Sequence, residues 1–499
     1  MSYQYSPFKV RNINQLFYFV IILLFPMQYL QADTQKDNKL NQLDNKNSQA
    51  PQTKTLPAIE NQSKQQTPAF PTIETNPMRK HPKVDEPSFS ESILQGINIS
   101  GQATIIYQSS SLHLQAGDLK HTDGSNLSQS ELNSFQHPSG AATYSADLVL
   151  EAKSLKYGYF QIDLQFAHGL GVDANLQGGA MVNNDVMEDA ERPYTPYIAK
   201  AFYEYISPIS NEYNFIIDIG KYGVNDFFDI GKDVSDQTTQ FINQTINNNG
   251  AFDYVQDLDG HGYTYGVRLG LYNDLFGIDA AFFSSDANMQ NFTKKYSVVL
   301  GVTFTPEWYP GIKSAYQIYA FNNFGEYARF DNQGNLVSQD VDAINTADNK
   351  DNLSKAGFGI SLNHSFPHGV NLFAKYGRQD DRRDVRHYQD MDESYMLGFD
   401  IHGENWSREN DVFGLAYEIG RLTGNHRKAH EKGYSGLFDR RGGIGAGNYA
   451  DERVLEVYYK FAITHYINIS ANYQWVNNFY YSRIIGDVHF VSGRLNISF

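Results

Sequence analysis

The chain has 499 residues, no cysteine, 14% aromatic residues and a formal net charge of -16. The lack of cysteine excludes a disulfide scaffold and a thiolate metal site. A mean hydropathy of -0.49 argues against a membrane protein built from helices. It is compatible with a membrane β-barrel, because only every second residue of a barrel strand faces lipid.

The first 92 residues are predicted to lie outside the folded domain. In residues 1–32, Lys9 and Arg11 precede ten consecutive apolar residues, Leu16–Phe25. This run is too short to span a membrane and is typical of a signal peptide, with an uncleaved anchor as the alternative. Residues 33–92 are rich in Gln, Asn, Lys and Pro and predict a disordered periplasmic arm. Their charges balance, so the acidity falls on residues 93–499 and disfavours nucleic acid as a partner.

From residue 96 onward, polar and apolar residues alternate in about sixteen segments of roughly ten residues, the length of a membrane-spanning strand. The segments are 96–108, 144–154, 158–167, 196–206, 213–221, 262–272, 275–285, 295–306, 312–322, 355–365, 369–379, 394–403, 411–421, 451–463, 467–477 and 488–499. We therefore predict an all-β fold for residues 93–499, a transmembrane antiparallel up-and-down β-barrel of about sixteen strands.

The connections between these segments alternate between long and short. The long ones lie near 109–143, 168–195, 222–261, 286–294, 323–354, 380–393, 422–450 and 478–487. Short periplasmic turns and long external loops are typical of barrels in the outer membrane of Gram-negative bacteria. The pattern thus predicts contact with outer-membrane lipid and lipopolysaccharide, with the N-terminal arm in the periplasm.

A barrel of this size leaves a water-filled interior, and the alternation assigns charged side chains to it. On the lipid face near the midplane, an Arg or Lys would cost roughly 2–4 kcal/mol. The residues predicted to line the lumen are Glu151, Lys200, Glu204, Asp218, Arg268, Lys375, Lys460 and Arg494, together with Asp147, Asp163, Gln165, Glu418 and Glu456. Charges of both signs and amides indicate polar, mostly neutral solutes.

The third long connection, 222–261, is rich in aromatic, acidic and amide residues. Its motifs are NDFFD at 225–229, TQFIN at 239–243 and NNGAFDY at 248–254, and GYTYG follows at 262–266. In this order they resemble the carbohydrate-selective porins of Gram-negative bacteria, the OprB-type family. The resemblance implies a sixteen-stranded barrel whose third extracellular loop folds inward and admits glucose and related sugars by diffusion. The last strand, which ends on Phe499, resembles the signal through which the barrel assembly machinery inserts such proteins.

Candidate residues for a constriction formed by this loop are polar or aromatic. They are Asp226, Asp229, Asn243, Asn247, Asn248, Phe252, Asp253 and Tyr254. The aromatic rings could contact sugar faces or could anchor the loop to the wall. Anchoring is the favoured interpretation for most Phe residues, because an inward loop needs a small core of its own. The carboxylates and amides are favoured as channel groups.

No catalytic, cofactor or metal site is predicted. Asp257–His261 lacks the spaced ligands and closing Glu of an EF-hand. His426 and His430 lie in an external loop without an evident helix and are expected to be solvated. The predicted function is passive diffusion of carbohydrates through a channel that loop 222–261 narrows. A general diffusion porin and a structural or adhesive outer-membrane barrel remain as alternatives.

Overall fold

The structure is a computed structural model of the chain. It describes residues 96–112, 139–154, 158–169, 171–173, 182–183, 196–231, 233–252, 263–285, 292–325, 327, 329–335, 337, 353–383, 391–432 and 448–499. The predicted signal peptide 1–32 and arm 33–92 lie outside these residues. Within the described part of the chain, no helix is long and apolar enough to cross a membrane.

Sixteen antiparallel strands close into one barrel, as predicted. They are β1 (Gly96–Ser110), β2 (Gly140–Ser154), β3 (Gly158–His168), β4 (Tyr197–Pro208), β5 (Asn214–Gly223), β6 (Tyr263–Tyr272), β7 (Phe276–Ser284), β8 (Tyr296–Phe304), β11 (Ala315–Gly325), β12 (Leu353–Phe366), β13 (Val370–Gln379), β14 (Glu393–His402), β15 (Val412–Arg421), β16 (Glu452–Ala462), β17 (Ile467–Asn477) and β18 (Asp487–Ser498). Each strand pairs with its neighbours in the chain, and β1 pairs with β18 to close the ring.

A small ribbon interrupts this regular order between β8 and β11. Strands β9 (Glu307–Tyr309) and β10 (Ile312–Lys313) pair with each other outside the barrel sheet. The sequence had predicted a plain turn here, followed by a strand over 312–322. The barrel strand instead begins at Ala315, because residues 312–313 belong to the ribbon.

The two faces of the wall have opposite chemistry, as expected for a strand period of two. On β18, the apolar side chains of Val491 and Ile497 are exposed, whereas Arg494 and Asn496 between them are buried. On β6, Val267 and Leu269 are exposed and the intervening Arg268 is buried. Apolar groups thus cover the outer surface of the wall, and polar groups lie on its inner side.

Aromatic side chains lie outward near both ends of the strands. At the end with short turns, the indole nitrogen of Trp308 donates to Tyr316 at 2.8 Å, and that of Trp406 donates to Tyr459 at 3.1 Å. At the other end, the rings of Tyr376 and Tyr395 lie 4.9 Å apart. Aromatic belts of this kind occur where a barrel meets the two interfaces of a membrane.

Candidate functional site

The long connection between β5 and β6 is held in a defined conformation by its own polar residues. We call residues 224–231 and 233–252 the third-loop segment. It begins with a 3₁₀ turn, Val224–Asp226, in which Asp226 accepts a hydrogen bond from the Gly223 amide at 3.0 Å. A one-turn helix, Gln244–Asn247, is capped by the Asn243 side chain, which accepts from the Thr245 amide at 3.0 Å. Such caps satisfy backbone donors that would otherwise be left unpaired.

Aromatic rings of the segment pack on the wall. Phe252 lies 4.7 Å from Tyr319 and 5.0 Å from Phe321 between ring centroids. Phe241 meets Tyr458 edge-on at 4.7 Å. Edge-on and tilted aromatic pairs at these distances contribute roughly 0.5–1.5 kcal/mol each beyond the area they bury. These contacts attach the segment to strands on different sides of the barrel.

A buried ion pair holds the segment near its start and near its end. The ammonium of Lys375 on β13 lies 2.9 Å from the Asp229 carboxylate and donates to the Asn247 carbonyl at 2.5 Å. Asp229 also accepts from the Ser361 hydroxyl and, at 2.6 Å, from the Asn249 amide. The charged groups are therefore paired and hydrogen-bonded, which a buried charge requires.

Strands β16–β18 supply a second set of anchors. Glu456 on β16 accepts from the amides of Ile242 and Asn243 at 2.8 and 2.9 Å. The Asn243 amide group donates to Gln474 on β17 at 3.0 Å. Arg494 on β18 donates to the carbonyls of residues 237 and 240, each at 2.7 Å. The segment thus contacts inward-facing side chains of strands that are far apart in the chain.

The guanidinium of Arg268 is buried beneath the start of the segment. It lies 2.6 Å from Asp218 and 2.8 Å from Asp279, and 3.9 Å from Glu204. The ring of Phe227 covers it at 3.9 Å from the guanidinium carbon. This arrangement places Asp218 and Arg268 on the inner side of the wall but under the segment, away from open solvent.

A row of hydrogen-bonded polar groups crosses the inner face of β1–β4. We call Gln102, Asp147, Gln165 and Tyr197 the polar row. Gln102 and Gln165 donate to the two carboxylate oxygens of Asp147 at 3.0 and 2.7 Å. The Tyr197 hydroxyl donates to Gln165. The side chains of the polar row are partly buried, so they lie at a surface that solvent reaches.

The edge of the third-loop segment faces this part of the wall. Asp226 lies 2.7 Å from the Lys200 ammonium on β4. The Thr238 hydroxyl oxygen lies 3.2 Å from the side-chain oxygen of Gln102, and the backbone amide of Thr238 donates to Asp236 at 2.9 Å. These contacts place two carboxylates, Asp226 and Asp236, at the loop edge beside the polar row.

The predicted site residues differ in how far the structure exposes them to solvent. Among the described constriction candidates, Asp229, Asn243, Asn247, Asn248 and Phe252 are buried, and Asp226 is partly exposed. Asp253 and Tyr254 lie outside the described residues. Of the remaining lumen candidates, Glu151 accepts from Asn98 at 3.1 Å, and Lys460 is half-buried on the inner side of β16.

Sequence reasoning missed Tyr197 and Asp236. Tyr197 begins a strand, where alternation is a weak guide to the side-chain face. Asp236 belongs to a tight turn in which the Thr239 hydroxyl also donates to its carboxylate at 2.5 Å. The local sequence Asp-Gln-Thr-Thr could have signalled that turn, because Asp side chains commonly accept from backbone amides two residues later.

One group of described residues has the composition of a metal site. Oxygen and nitrogen atoms of Asp233, Asp400 and His402 lie within 4.8 Å of one another. Asp400 accepts from the Asn371 amide group at 2.8 Å, and His402 Nε2 lies 3.9 Å from Asp400. The Asp400 carboxylate is therefore already hydrogen-bonded within the protein.

The expectation that His426 and His430 are solvated was wrong. They lie on a helix, Gly424–Glu431, and both are buried. His426 Nδ1 lies 3.0 Å from Asp392, and its ring stacks on Phe330 at 5.2 Å. Burial, with the nearby charge of His426, lowers the pKa of His430 to about 4. Contacts from other long loops, which are distant in sequence, create this burial.

Comparisons with known proteins agree with the barrel and identify its relatives. The profile of the carbohydrate-selective porin, OprB family, matches residues 141–499. The high-pH structure of Pseudomonas putida OprB is similar to this chain with a TM-score of 0.59 and 14% identity, over 81% of this chain and 94% of that one. The low-pH structure of Pseudomonas putida OprB gives a TM-score of 0.41 and 10% identity, over 81% and 93%. No curated protein matches the chain in sequence.

Proposed function

Because the chain belongs to the carbohydrate-selective porin, OprB family, we propose that it lets small glucose-like sugars diffuse through a lumen narrowed by the third-loop segment. The family and the barrel fold point to an outer-membrane channel rather than an enzyme. Two points go beyond the family assignment: the sugars are small and glucose-like, and the third-loop segment forms the narrowest part of the lumen.

The position of the anchors supports the proposed route. The segment is attached to inward side chains of β11–β13 and β16–β18, through Gln317, Ser361, Lys375, Glu456, Gln474 and Arg494. Toward β1–β4 its contacts are made by the loop edge, where Gln102, Lys200 and Asp226 are partly exposed. The proposed passage therefore runs over Asp147 and Gln165, between the contact of Thr238 with Gln102 and the ion pair of Asp226 with Lys200.

The chemistry of the polar row is the observation that carries the proposal. Carboxylate and amide groups are planar and can exchange hydrogen bonds with adjacent sugar hydroxyls, and a tyrosine ring presents an apolar face to sugar C–H groups. In Asp147, both oxygens accept from amides, which fixes the orientation of the carboxylate. A sugar at this place would exchange hydrogen bonds with water for hydrogen bonds with preoriented groups.

Proteoliposome swelling tests this function. The purified protein should pass glucose faster than a neutral amino acid of similar size. Gln165→Leu should reduce that preference, because it removes an amide that orients Asp147 and accepts from Tyr197. Gln333→Leu, in an exposed external loop, is the matched control and should behave like the unaltered protein. Equal rates for both solutes would reduce the function to general diffusion, and no solute flux would favour a structural barrel.

The remaining expectations about the cellular context are part of the same proposal. The N-terminal arm would lie in the periplasm, and the outer surface would contact lipid and lipopolysaccharide. Phe499 would serve as the terminal residue recognised by the barrel assembly machinery. Its backbone exchanges two hydrogen bonds with Gly101, at 2.9 and 3.0 Å, so the terminus is held at the seam where β1 and β18 close the barrel.

A further inference from the structure

The proposed passage is bordered by more carboxylates than cations. Asp147 and Asp163 lie on inward positions of β2 and β3, and Asp226 and Asp236 lie on the loop edge. The charge of Asp147 interacts with those of Lys200 and Asp236, and the charge of Asp163 interacts with those of Asp147, Lys200 and Asp226. We call the four acidic groups the eyelet carboxylates. Lys200 is the cation placed among them.

Most of the inward-facing cationic groups are buried in contacts with the wall or the loop and do not border the proposed passage. The charged groups of Arg268 and Lys375 are nearly fully buried and paired with carboxylates of the wall or the loop. Arg494 is also buried and donates to loop carbonyls. The half-buried Lys460, on β16, interacts with Asp236 and with other acidic groups near it. Within the described residues, the field at the passage is therefore set by the four eyelet carboxylates and is only partly offset by Lys200 and Lys460.

Hydrogen bonds to Asp147, Asp226 and Asp236 favour the charged forms of these three carboxylates. Asp147 accepts from two amides, and Asp236 accepts from the hydroxyl groups of Thr238 and Thr239. Asp226 accepts from a backbone amide and from the Lys200 ammonium. Donors directed at a carboxylate stabilise its anionic state.

Asp163 provides independent evidence that a positive or hydrogen-bond-donating solute belongs here. Its side chain is 7% exposed, and its Oδ1 atom has no hydrogen-bond partner among the described residues. Buried polar atoms are rarely left unsatisfied in proteins, so this buried and unpaired oxygen beside the passage is available to a donor from a solute. A sugar hydroxyl or an ammonium group could supply that donor, and a metal cation could coordinate the oxygen instead.

We propose that the eyelet carboxylates make the channel select for charge, so that it favours cations over anions and admits neutral and amino sugars while it excludes sugar phosphates and uronates. This inference rests on the proposed function, because it places the passage beside the polar row. Clefts lined by charge of one sign raise the local concentration of counter-ions by about tenfold or more. A cation-to-anion permeability ratio of about ten is therefore expected at low salt, and it should fall as salt screens the carboxylates.

Reversal potentials in planar bilayers under a KCl gradient test the proposal. The unaltered protein should favour K⁺. The double variant Asp147→Asn with Asp163→Asn should lower the permeability ratio severalfold, because both substitutions keep side-chain size and remove charge. Asp274→Asn, in an exposed short turn, removes one carboxylate away from the passage and should keep the original ratio. A channel that favours Cl⁻, or a ratio that the control lowers as much as the double variant, would overturn the proposal.

Sugar flux separates this inference from the proposed function. In proteoliposomes, glucosamine should enter faster than glucuronate through the unaltered protein. If glucose enters but glucosamine and glucuronate enter equally, the charge selectivity is wrong and the sugar channel stands. If glucose fails to enter while the bilayer channel still favours K⁺, the sugar function is wrong and the charge selectivity stands. Should the double variant not fold, these measurements on the unaltered protein decide the question alone.

Discussion

The ion pair between Lys375 and Asp229 should hold the third-loop segment against β13. In Lys375→Met, the Asp229 carboxylate would keep its bonds from Ser361 and Asn249 but lose its counter-charge at 2.9 Å. Breaking a buried ion pair by removing one partner costs about 3–5 kcal/mol. Because this pair is one of several anchors, we expect its loss to lower the free energy of unfolding and to loosen the segment without detaching it from the wall.

The assay combines urea unfolding in lipid with single-channel recording. Lys375→Met should lower the free energy of unfolding by about 3 kcal/mol or more and increase the current noise of the open channel. In the double variant Lys375→Met with Asp229→Asn, part of this stability should be restored, because neither residue of the pair then carries an unpaired buried charge. Asn is suited to the site, since residue 229 has a left-handed backbone with φ of 62° and Asn tolerates that region.

An exposed ion pair provides the matched control. Arg382 is 64% exposed and lies 2.9 Å from Asp380. Arg382→Met should change stability by less than about 1 kcal/mol, as is usual for surface pairs. If Lys375→Met costs no more than this control and leaves the channel current unchanged, the argument that the pair anchors the segment is refuted.

Further predictions concern the wall, the external helix and the seam. Arg268→Leu should cost about 3–5 kcal/mol in urea unfolding, because it leaves three buried carboxylates without their cation. The neutral form of His430 is favoured in the folded loop, so the helix Gly424–Glu431 should lose up to about 3 kcal/mol of stability as pH falls from about 6.5 to about 4. This loss should be measurable as faster amide exchange in the helix, and in His430→Leu the exchange should not depend on pH in this way. Gly101→Ala should lower the temperature of heat-induced unfolding on gels, since a Cβ would lie 2.8 Å from the backbone carbonyl oxygen of Asp147 and from the Phe499 ring. Gly493→Ala should have no such effect, because a Cβ added there would have no close neighbour within 4 Å.

The barrel could be predicted from the sequence because its physical rule is local. A strand that separates lipid from water must alternate with a period of two, so Val491 and Arg494 were assigned to opposite faces without any knowledge of their partners. The strand count followed from repeating that rule. Strand ends were less certain, as the ribbon before Ala315 shows, because turns do not carry the lipid constraint.

The site could be predicted only in part, because its contacts are long-range. The inward position of Arg494 follows from alternation, but its bonds to carbonyls about 250 residues earlier do not. For the same reason, Asp229 and Asn243 were favoured as channel groups, whereas the structure buries them as anchors. Alternation shows which side of the wall a residue faces. It does not show whether water or another loop covers that residue.

The central claim is that the third-loop segment narrows a sugar-permeable channel. Single-channel conductance with and without glucose, recorded before and after deletion of residues 225–250, tests it most directly. We predict that glucose lowers the current of the unaltered channel, and that the deletion raises the conductance and weakens the effect of glucose. If the deleted protein still inserts as a folded barrel and shows the same conductance and the same response to glucose, the claim is contradicted.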